Sequence, residues 1–216
     1  GDRYLLQYFL GAQEVGIYST GYMLANKAIM LPAIMIFASA LPVLINVFEH
    51  EGEKKAQALL KRMLEIYFLT MLPAVVGFSI LSEDIVDLLL GHKFKGASDI
   101  LPWVAAGGFC LGLTHQVITK PIELKKKTIY QLWGIISAVC LNILLNVILI
   151  PQIGILGAAY ATLLSYLLYV TITWILSTRI YSWPFPRNAI KTLPPIMGMS
   201  IILLVLEKVL PIVAPW

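Results

Sequence analysis

Two neighbouring apolar stretches decide the fold: TIYQLWGIISAVCLNILLNVILI at residues 128–150 and IGILGAAYATLLSYLLYVTITWIL at residues 153–176. Each is long enough to cross a bilayer core of about 30 Å as a helix, which takes roughly 20 residues. The apolar residues are continuous rather than alternating, and lipid would leave the edge of a strand without hydrogen-bond partners. The two stretches therefore predict two membrane-spanning helices.

The same pattern extends over most of the chain. Further apolar runs predict a partial first span and four more complete spans, at residues 4–10, 15–48, 63–81, 100–119 and 190–213. Pro32 and Pro42 lie inside one of these runs and predict a kinked helix there. The fold class expected from the sequence is therefore an all-α, polytopic membrane helix bundle.

Composition excludes several classes of protein. The 216 residues are 59% hydrophobic and 13% charged, with a mean hydropathy of +0.82, whereas soluble domains carry about 25% charged residues. Too few polar side chains remain to cover a soluble surface. The net charge of +4 does not indicate nucleic acid, because the basic residues lie in short clusters between apolar runs. A soluble enzyme, a disordered tail and a nucleic-acid partner are excluded.

Basic residues alternate between the connections. Three alternate connections hold four, four and three of the 16 lysines and arginines, whereas the opposite connections hold only Lys93 and Lys95. Cytoplasmic loops of membrane proteins carry an excess of Lys and Arg. The three basic connections are therefore predicted to be cytoplasmic, in a multi-pass protein of the cell (inner or plasma) membrane that contacts membrane lipid directly.

One loop on the opposite side is predicted to hold a short interfacial helix. Ser82, Glu83 and Asp84 form a helix-start signal, and Gly91 is a stop signal. Apolar residues fill the interval between them, so we expect one short amphipathic helix at this membrane surface.

Charged residues inside the spans are the first candidates for function, since a lysine at mid-membrane costs about 2.5–3.5 kcal/mol. Lys27 lies 13 residues after Glu14, whereas Asp2 and Arg3 lie 12 and 11 residues before Glu14. A turn around residues 11–16 would fold two helices into a hairpin. Asp2, Arg3 and Lys27 are then expected at a similar depth near the midplane.

Two interpretations of these charges stay open. In one, Asp2 and Lys27 form a structural ion pair between two helices. In the other, Arg3 and Lys27 form the basic wall of a substrate-binding cavity for an anion, with Asp2 available to couple transport to an ion or a proton. Asn26 and Tyr22 flank Lys27 and are expected to add hydrogen bonds.

Other polar residues lie on later spans. Asn142 and Asn146 are spaced i, i+4 and share one helix face, where they either pack against neighbouring helices or line the cavity. His115 lies near the cytoplasmic end of its span and is a candidate for proton coupling. Small residues in 154–161 favour close helix approach. We find no nucleotide-binding loop, metal-ligating motif or nucleophile–base pair, so we expect no enzyme, metal or cofactor.

Several motifs resemble those of oligosaccharide flippases of the polysaccharide transport family, a branch of the MOP superfamily that also includes multidrug exporters and the lipid II flippase. The motifs are DRYLL at 2–6 through VGIYS at 15–19, LNILLN at 141–146, IP at 150–151, GILGAAYAT at 154–162, and LLLG at 88–91 with Phe94 and Ala97. Arg3 matches a family motif position. Lys27 does not, because family members often carry the basic residue near Met23, one helical turn before Lys27.

The resemblance implies the C-terminal lobe of a MOP/MATE-like transporter, with residues 1–179 as a six-helix lobe whose first helix is truncated and 180–216 as a linker and an additional transmembrane helix. It implies that undecaprenyl-diphosphate-linked oligosaccharide is moved across the cytoplasmic membrane by alternating access. The chain begins without a methionine, and the expected partner is a missing N-terminal lobe of the same protein. Alternatives are a cation-coupled MATE-type exporter of small amphiphiles, a membrane glycosyltransferase or polymerase, and an inactive fragment.

Overall fold

The computed structural model describes residues 1–180, which form helices joined by short turns and no strands. The α-helices, α1 to α9 in chain order, span Asp2–Leu10, Ala12–Phe37, Ala40–Glu51, Glu53–Ile80, Ser82–Leu89, Leu101–Leu113, Lys120–Leu124, Ile129–Ile153 and Ile155–Ile180. A 3₁₀ segment, His92–Ala97, follows α5, and a π-helical segment, Thr114–Ile118, joins α6 to α7. The predicted all-α fold class is confirmed.

The predicted spans are found as continuous or nearly continuous helices. Five stretches are long and apolar enough to cross a membrane: Ala12–Glu51, Glu53–Ile80, Leu101–Leu124, Ile129–Ile153 and Ile155–Ile180. They coincide with the five complete spans predicted between residues 15 and 176, and α1 corresponds to the predicted partial span. The span expected at 190–213, and the linker beyond Ile180, lie outside the described residues.

A proline accounts for the break in the first long span. α2 runs without interruption through Pro32, whereas the helix breaks at Ala38 and Ser39, between α2 and α3. Proline cannot donate to the carbonyl four residues earlier, and its ring clashes with that carbonyl. For Pro42 the carbonyl belongs to Ala38. The predicted interruption is therefore found at Pro42 and not at Pro32.

α8 and α9 form a tight helical hairpin. The chain reverses at Gly154, whose φ of +64° lies in the left-handed region that favours glycine. Two residues into α9, Gly157 lies so close to α8 that a Cβ there would be 2.5 Å from the carbonyl oxygen of Leu149. Helices approach this closely only where a residue is small. The close approach predicted for this glycine-rich and alanine-rich segment is confirmed at Gly157.

α6 is the central helix of the bundle. It packs against α2, α4 and α9, and its glycines are buried. A Cβ at Gly107 would lie 3.3 Å from the ring of Tyr166 on α9, and one at Gly108 would lie 3.5 Å from Ile29 on α2. α6 therefore fixes the separation of α2 and α9, the two helices that carry most of the hydroxyl groups described below.

The short helix predicted after the second complete span is also present. α5 begins at Ser82 and ends at Leu89, and Gly91 follows with a φ of +78°. Val86 is buried in the bundle, whereas Leu88 is 83% exposed. α5 thus turns one apolar side toward the core and offers another to its surroundings, as expected of a helix at a membrane surface.

Candidate functional site

The turn between α1 and α2 sets the depth of the candidate charges. It is a single residue, Gly11, with a φ of +88°, and it comes earlier than the centre of the predicted turn. The hydroxyl of Tyr18 donates to the carboxylate of Asp2 at 3.2 Å, so α1 folds back along α2 as predicted. Lys27 lies nine residues beyond Tyr18, about 13 Å further along α2. The expectation that Asp2, Arg3 and Lys27 share one depth is therefore wrong.

The carboxylate of Asp2 lies among polar side chains from three other helices. Besides Tyr18, the Asn146 amide of α8 donates to Oδ1 at 3.2 Å, and the Thr162 hydroxyl of α9 donates to Oδ2 at 3.1 Å. Asn146 is fully buried, and Tyr18 and Thr162 are nearly so. Such donors replace the water that a partly buried carboxylate loses. We refer to Asp2, Tyr18, Asn142, Asn146 and Thr162 as the Asp2 cluster.

The two asparagines of α8 share one helix face, as their spacing predicts. The Nδ2 atom of Asn146 donates to the backbone oxygen of Asn142 at 2.8 Å and lies 3.0 Å from its side-chain oxygen. The Oδ1 atom of Asn146 is buried and has no hydrogen-bond partner within residues 1–180. A buried oxygen without a donor is unfavourable. The cluster therefore has spare acceptor capacity for a proton donor or a cation.

Four members of the Asp2 cluster lie at a similar depth of the bundle. Asp2 and Tyr18 are nine residues before and seven residues after Gly11, and Asn146 and Thr162 are each eight residues from Gly154. These separations correspond to about 10–14 Å along the helices. In a hydrocarbon core about 30 Å thick, the cluster lies near mid-depth.

Two cavities meet at Asp2. The larger has a volume of about 350 Å³ and is lined by Gly1, Asp2, Arg3, Tyr4, Tyr18 and Tyr22. The smaller has a volume of about 170 Å³ and is lined by Asp2, Ala138, Val139, Asn142, Thr162, Ser165 and Tyr166. Asp2 lines both cavities, so a change in the charge of its carboxylate alters the electrostatic potential in both of them.

Arg3 and Lys27 are both exposed, at different places on the bundle. Arg3 lines the larger cavity beside Asp2. The nine residues between Tyr18 and Lys27 amount to a rotation of about 180° at 100° per residue, so Lys27 lies on the side of α2 opposite the buried Tyr18. Asp2 binds donors of its own cluster. The ion pair between Asp2 and Lys27 is therefore not formed.

Tyr22 contacts α9 and not Lys27. Its hydroxyl oxygen lies 3.2 Å from that of Tyr166, and either group can be the donor. Asn26, the other residue expected to assist Lys27, is half-buried one residue before it. Tyr22 therefore belongs with the wall between the two cavities, whereas the expected association of Tyr22 with Lys27 is wrong.

His115 lies in a different part of the bundle. It belongs to the π-helical segment, and its ring centroid is 5.9 Å from that of Tyr169 on α9. Tyr169 is seven residues beyond Thr162, about 10 Å along the helix. Single π-helical turns recur at functional sites. The structure does not bring His115 together with Asp2, and its role in proton coupling stays a prediction.

A row of hydroxyl groups that was not among the predicted site residues borders the smaller cavity. Thr162, Ser165 and Tyr166 lie at i, i+3 and i+4 on α9 and share one face. That spacing was a readable signal of a polar face on a membrane helix. The partnership of Tyr18 with Asp2 carried no such signal, because it depends on the position of the turn between α1 and α2.

The site offers oxygen atoms as ligands. Within residues 1–180, no group of three or more His, Cys, Asp and Glu residues could hold a metal ion. The smaller cavity is instead bordered by one carboxylate together with amide and hydroxyl oxygens, the ligand types that hard cations prefer. Chemically, the arrangement can hold a small cation or a proton next to a space lined by arginine and tyrosine.

Comparison with known proteins places these features in a family. The family model described as "Lipid II flippase MurJ" matches residues 9–213. The chain is 27% identical over 165 residues to "Probable low-salt glycan biosynthesis flippase Agl15" of Haloferax volcanii, a match that covers 76% of this chain and 34% of that protein. It is 26% identical over 211 residues to "Probable flippase AglR" of the same organism, covering 92% of this chain and 40% of that protein.

The matched relatives are thus much longer than the chain, which spans between about a third and two fifths of their length. Both are named as flippases, which are transporters and not enzymes. The family match covers nearly all of the chain, including the helices that carry Tyr18, Asn146 and Thr162. The chain therefore belongs to the family of the lipid II flippase MurJ, within the MOP superfamily.

Proposed function

We propose that this chain is the C-terminal lobe of a flippase that moves undecaprenyl-diphosphate-linked oligosaccharide units across the cytoplasmic membrane for cell-surface polysaccharide synthesis. The family match and the names of the relatives support a lipid-linked glycan as the cargo. The observation that carries the proposal is a cavity at mid-depth that combines Arg3 with tyrosine hydroxyls beside the half-buried carboxylate of Asp2. Alternating access requires a second lobe, which we assign to an N-terminal part of the same protein.

The basic residues recognise the diphosphate in this proposal. Arg3 lies eight residues before Gly11, and Lys27 lies sixteen residues after it, so their depths differ by about 12 Å. An unpaired cation within a span costs several kcal/mol, and a phosphate anion offsets that cost. With the basic connections in the cytoplasm, Lys27 lies on the cytoplasmic side of Arg3 and on the face of α2 opposite Tyr18, so in this proposal it contacts the diphosphate outside the larger cavity.

The Asp2 cluster couples this movement to a cation in the same proposal. Asp2 supplies a negative charge, and Asn142 and Thr162 supply further oxygens around the smaller cavity. Either a proton or Na⁺ suits such a set of oxygen ligands. Binding of the cation neutralises the carboxylate and thereby alters the packing of α1 against α8 and α9.

A transport assay tests the proposal. The full-length protein is reconstituted in vesicles that contain undecaprenyl-diphosphate disaccharide with a dye on the sugar, and a quencher that cannot cross the membrane is added outside. Active protein makes the dye of both leaflets accessible, whereas vesicles without protein protect the inner half. An unchanged protected fraction with folded protein contradicts the proposal.

The second lobe has its own test. An antibody against residues 49–62 detects the native gene product on an immunoblot. A band near twice the 24.0 kDa of this chain supports an N-terminal lobe in the same polypeptide. A band near 24.0 kDa contradicts it and requires a separate partner chain.

A further inference from the structure

The two cavities that meet at Asp2 are joined a second time, by a pair of tyrosines. Tyr22 lines the larger cavity and Tyr166 lines the smaller one. Their hydroxyl oxygens are 3.2 Å apart, so one hydrogen bond connects the linings of the two spaces. This bond links α2 to α9 and involves no charged group.

Packing holds both rings in place. The ring of Tyr166 lies against Gly107 of α6, where a Cβ would be 3.3 Å from it. The rings of Tyr22 and Tyr18 have centroids 5.8 Å apart, and Tyr18 is itself fixed by its bond to Asp2. The hydroxyl groups can rotate their protons, whereas the rings have little room to move.

A pair of hydroxyl groups has a direction, because each group has one proton to donate. When Tyr22 donates to Tyr166, the proton of Tyr166 is free to point into the smaller cavity. When Tyr166 donates to Tyr22, a lone pair of Tyr166 is free for the smaller cavity and the proton of Tyr22 is free for the larger one. An anion in the larger cavity favours the second arrangement, since it accepts the proton of Tyr22.

We infer that the Tyr22–Tyr166 hydroxyl pair couples the two cavities, so that an anion bound beside Arg3 and Tyr22 increases the affinity of the Asp2 cavity for Na⁺. The inference rests on the proposed function, because it takes the diphosphate as the anion and Na⁺ as the coupled cation. Tyr166 is a positioning residue: while its proton is donated to Tyr22, its oxygen offers only lone pairs to other partners. The coupling is reciprocal, so Na⁺ increases the affinity for the anion by the same factor.

Binding measurements on the purified full-length protein test the inference. The dissociation constant of farnesyl diphosphate is measured by calorimetry with choline as the only cation and again with Na⁺. For the unaltered protein we expect Na⁺ to tighten binding roughly tenfold, a typical size for coupling between two sites. For Tyr166→Phe, binding in choline stays within about twofold of the unaltered protein and the effect of Na⁺ falls below about twofold.

Two further variants separate coupling from stability. Tyr160→Phe makes the same chemical change on α9, where the ring packs edge-on against Trp103, and it keeps the full effect of Na⁺. The double variant Tyr22→Phe with Tyr166→Phe loses no more coupling than Tyr166→Phe alone, because both substitutions remove the same hydrogen bond. Melting curves of Tyr160→Phe and Tyr166→Phe verify that each variant is folded.

The outcomes distinguish the inference from the proposed function. Tyr166→Phe with an unreduced Na⁺ effect overturns the inference alone, and so does an Na⁺ effect that weakens binding. Unaltered protein that binds farnesyl diphosphate equally in both solutions overturns the inference, while the vesicle assay still decides on flipping. Unaltered protein that binds no farnesyl diphosphate contradicts both the inference and the proposed recognition of a diphosphate.

Discussion

Asp2 and Arg3 are neighbours in the sequence, yet they belong to two different environments. The carboxylate of Asp2 receives hydrogen bonds from α2, α8 and α9. Arg3 is exposed and lines the larger cavity, as Lys27 is exposed further along α2. The carboxylate of Asp2 is therefore satisfied by hydrogen bonds within the chain, whereas the basic side chains are exposed.

The two regions control different properties of the protein. A buried polar group contributes to stability through its partners, and removal of one partner leaves the others unsatisfied. An exposed cation in a membrane span has no such partners to lose, so its removal changes ligand binding more than folding. Variants of the Asp2 cluster are thus expected to change melting as well as transport, whereas variants of Arg3 and Lys27 are expected to change transport alone.

The largest effect is expected from breaking the α8–α9 hairpin, which carries three of the five residues of the Asp2 cluster. In Gly157→Ala, the new Cβ would lie 2.5 Å from a backbone oxygen of α8, so α9 must move away from α8. We expect a loss of about 3 kcal/mol or more of stability, measured as a lower melting temperature in detergent. Gly16→Ala is the matched control on α2, since nothing lies within 4 Å of its Cβ. An unchanged melting temperature for Gly157→Ala would contradict the close approach of the two helices.

The next prediction compares substitutions of the sequence neighbours Asp2 and Arg3. Asp2→Ala removes the acceptor shared by Tyr18, Asn146 and Thr162, and we expect it to lower stability by about 2 kcal/mol. Arg3→Ala should leave the melting temperature unchanged and abolish flipping in the vesicle assay. Equal melting temperatures for the two variants would show that the hydrogen bonds of Asp2 do not stabilise the bundle.

The sequence predicted the spans and the shared face of Asn142 and Asn146, because these follow from periodicity within a single helix. It did not predict the depth of Lys27. A turn centred near Glu14 places Lys27 level with Asp2, whereas the actual turn at Gly11 displaces it by about two helical turns. Contacts between helices depend on where each turn falls, and local spacing does not determine that position.

A smaller effect is expected for Lys27, and it concerns transport alone. Lys27→Ala removes one cation from the exposed side of α2, and a lost charge-assisted contact to a phosphate is worth about 1.5–3 kcal/mol. We expect flipping to slow about tenfold or more, with normal membrane insertion and an unchanged melting temperature. Lys54→Ala, at the exposed start of α4, is the matched control and should flip at the normal rate. Full activity of Lys27→Ala would remove Lys27 from the proposed diphosphate path.

The smallest effect is expected within the Asp2 cluster itself, between its two asparagines. Asn146 is fully buried and donates to Asp2, whereas Asn142 is half-buried and accepts from Asn146. Asn142→Ala should therefore cost about 0.5–1 kcal/mol, the usual value of a polar contact between membrane residues, and Asn146→Ala should cost more. Melting curves of the two variants in detergent give this order. If the Asn142→Ala variant melts normally but no longer flips the lipid-linked sugar, the side chain of Asn142 acts on the cation alone and does not contribute to the packing of α8.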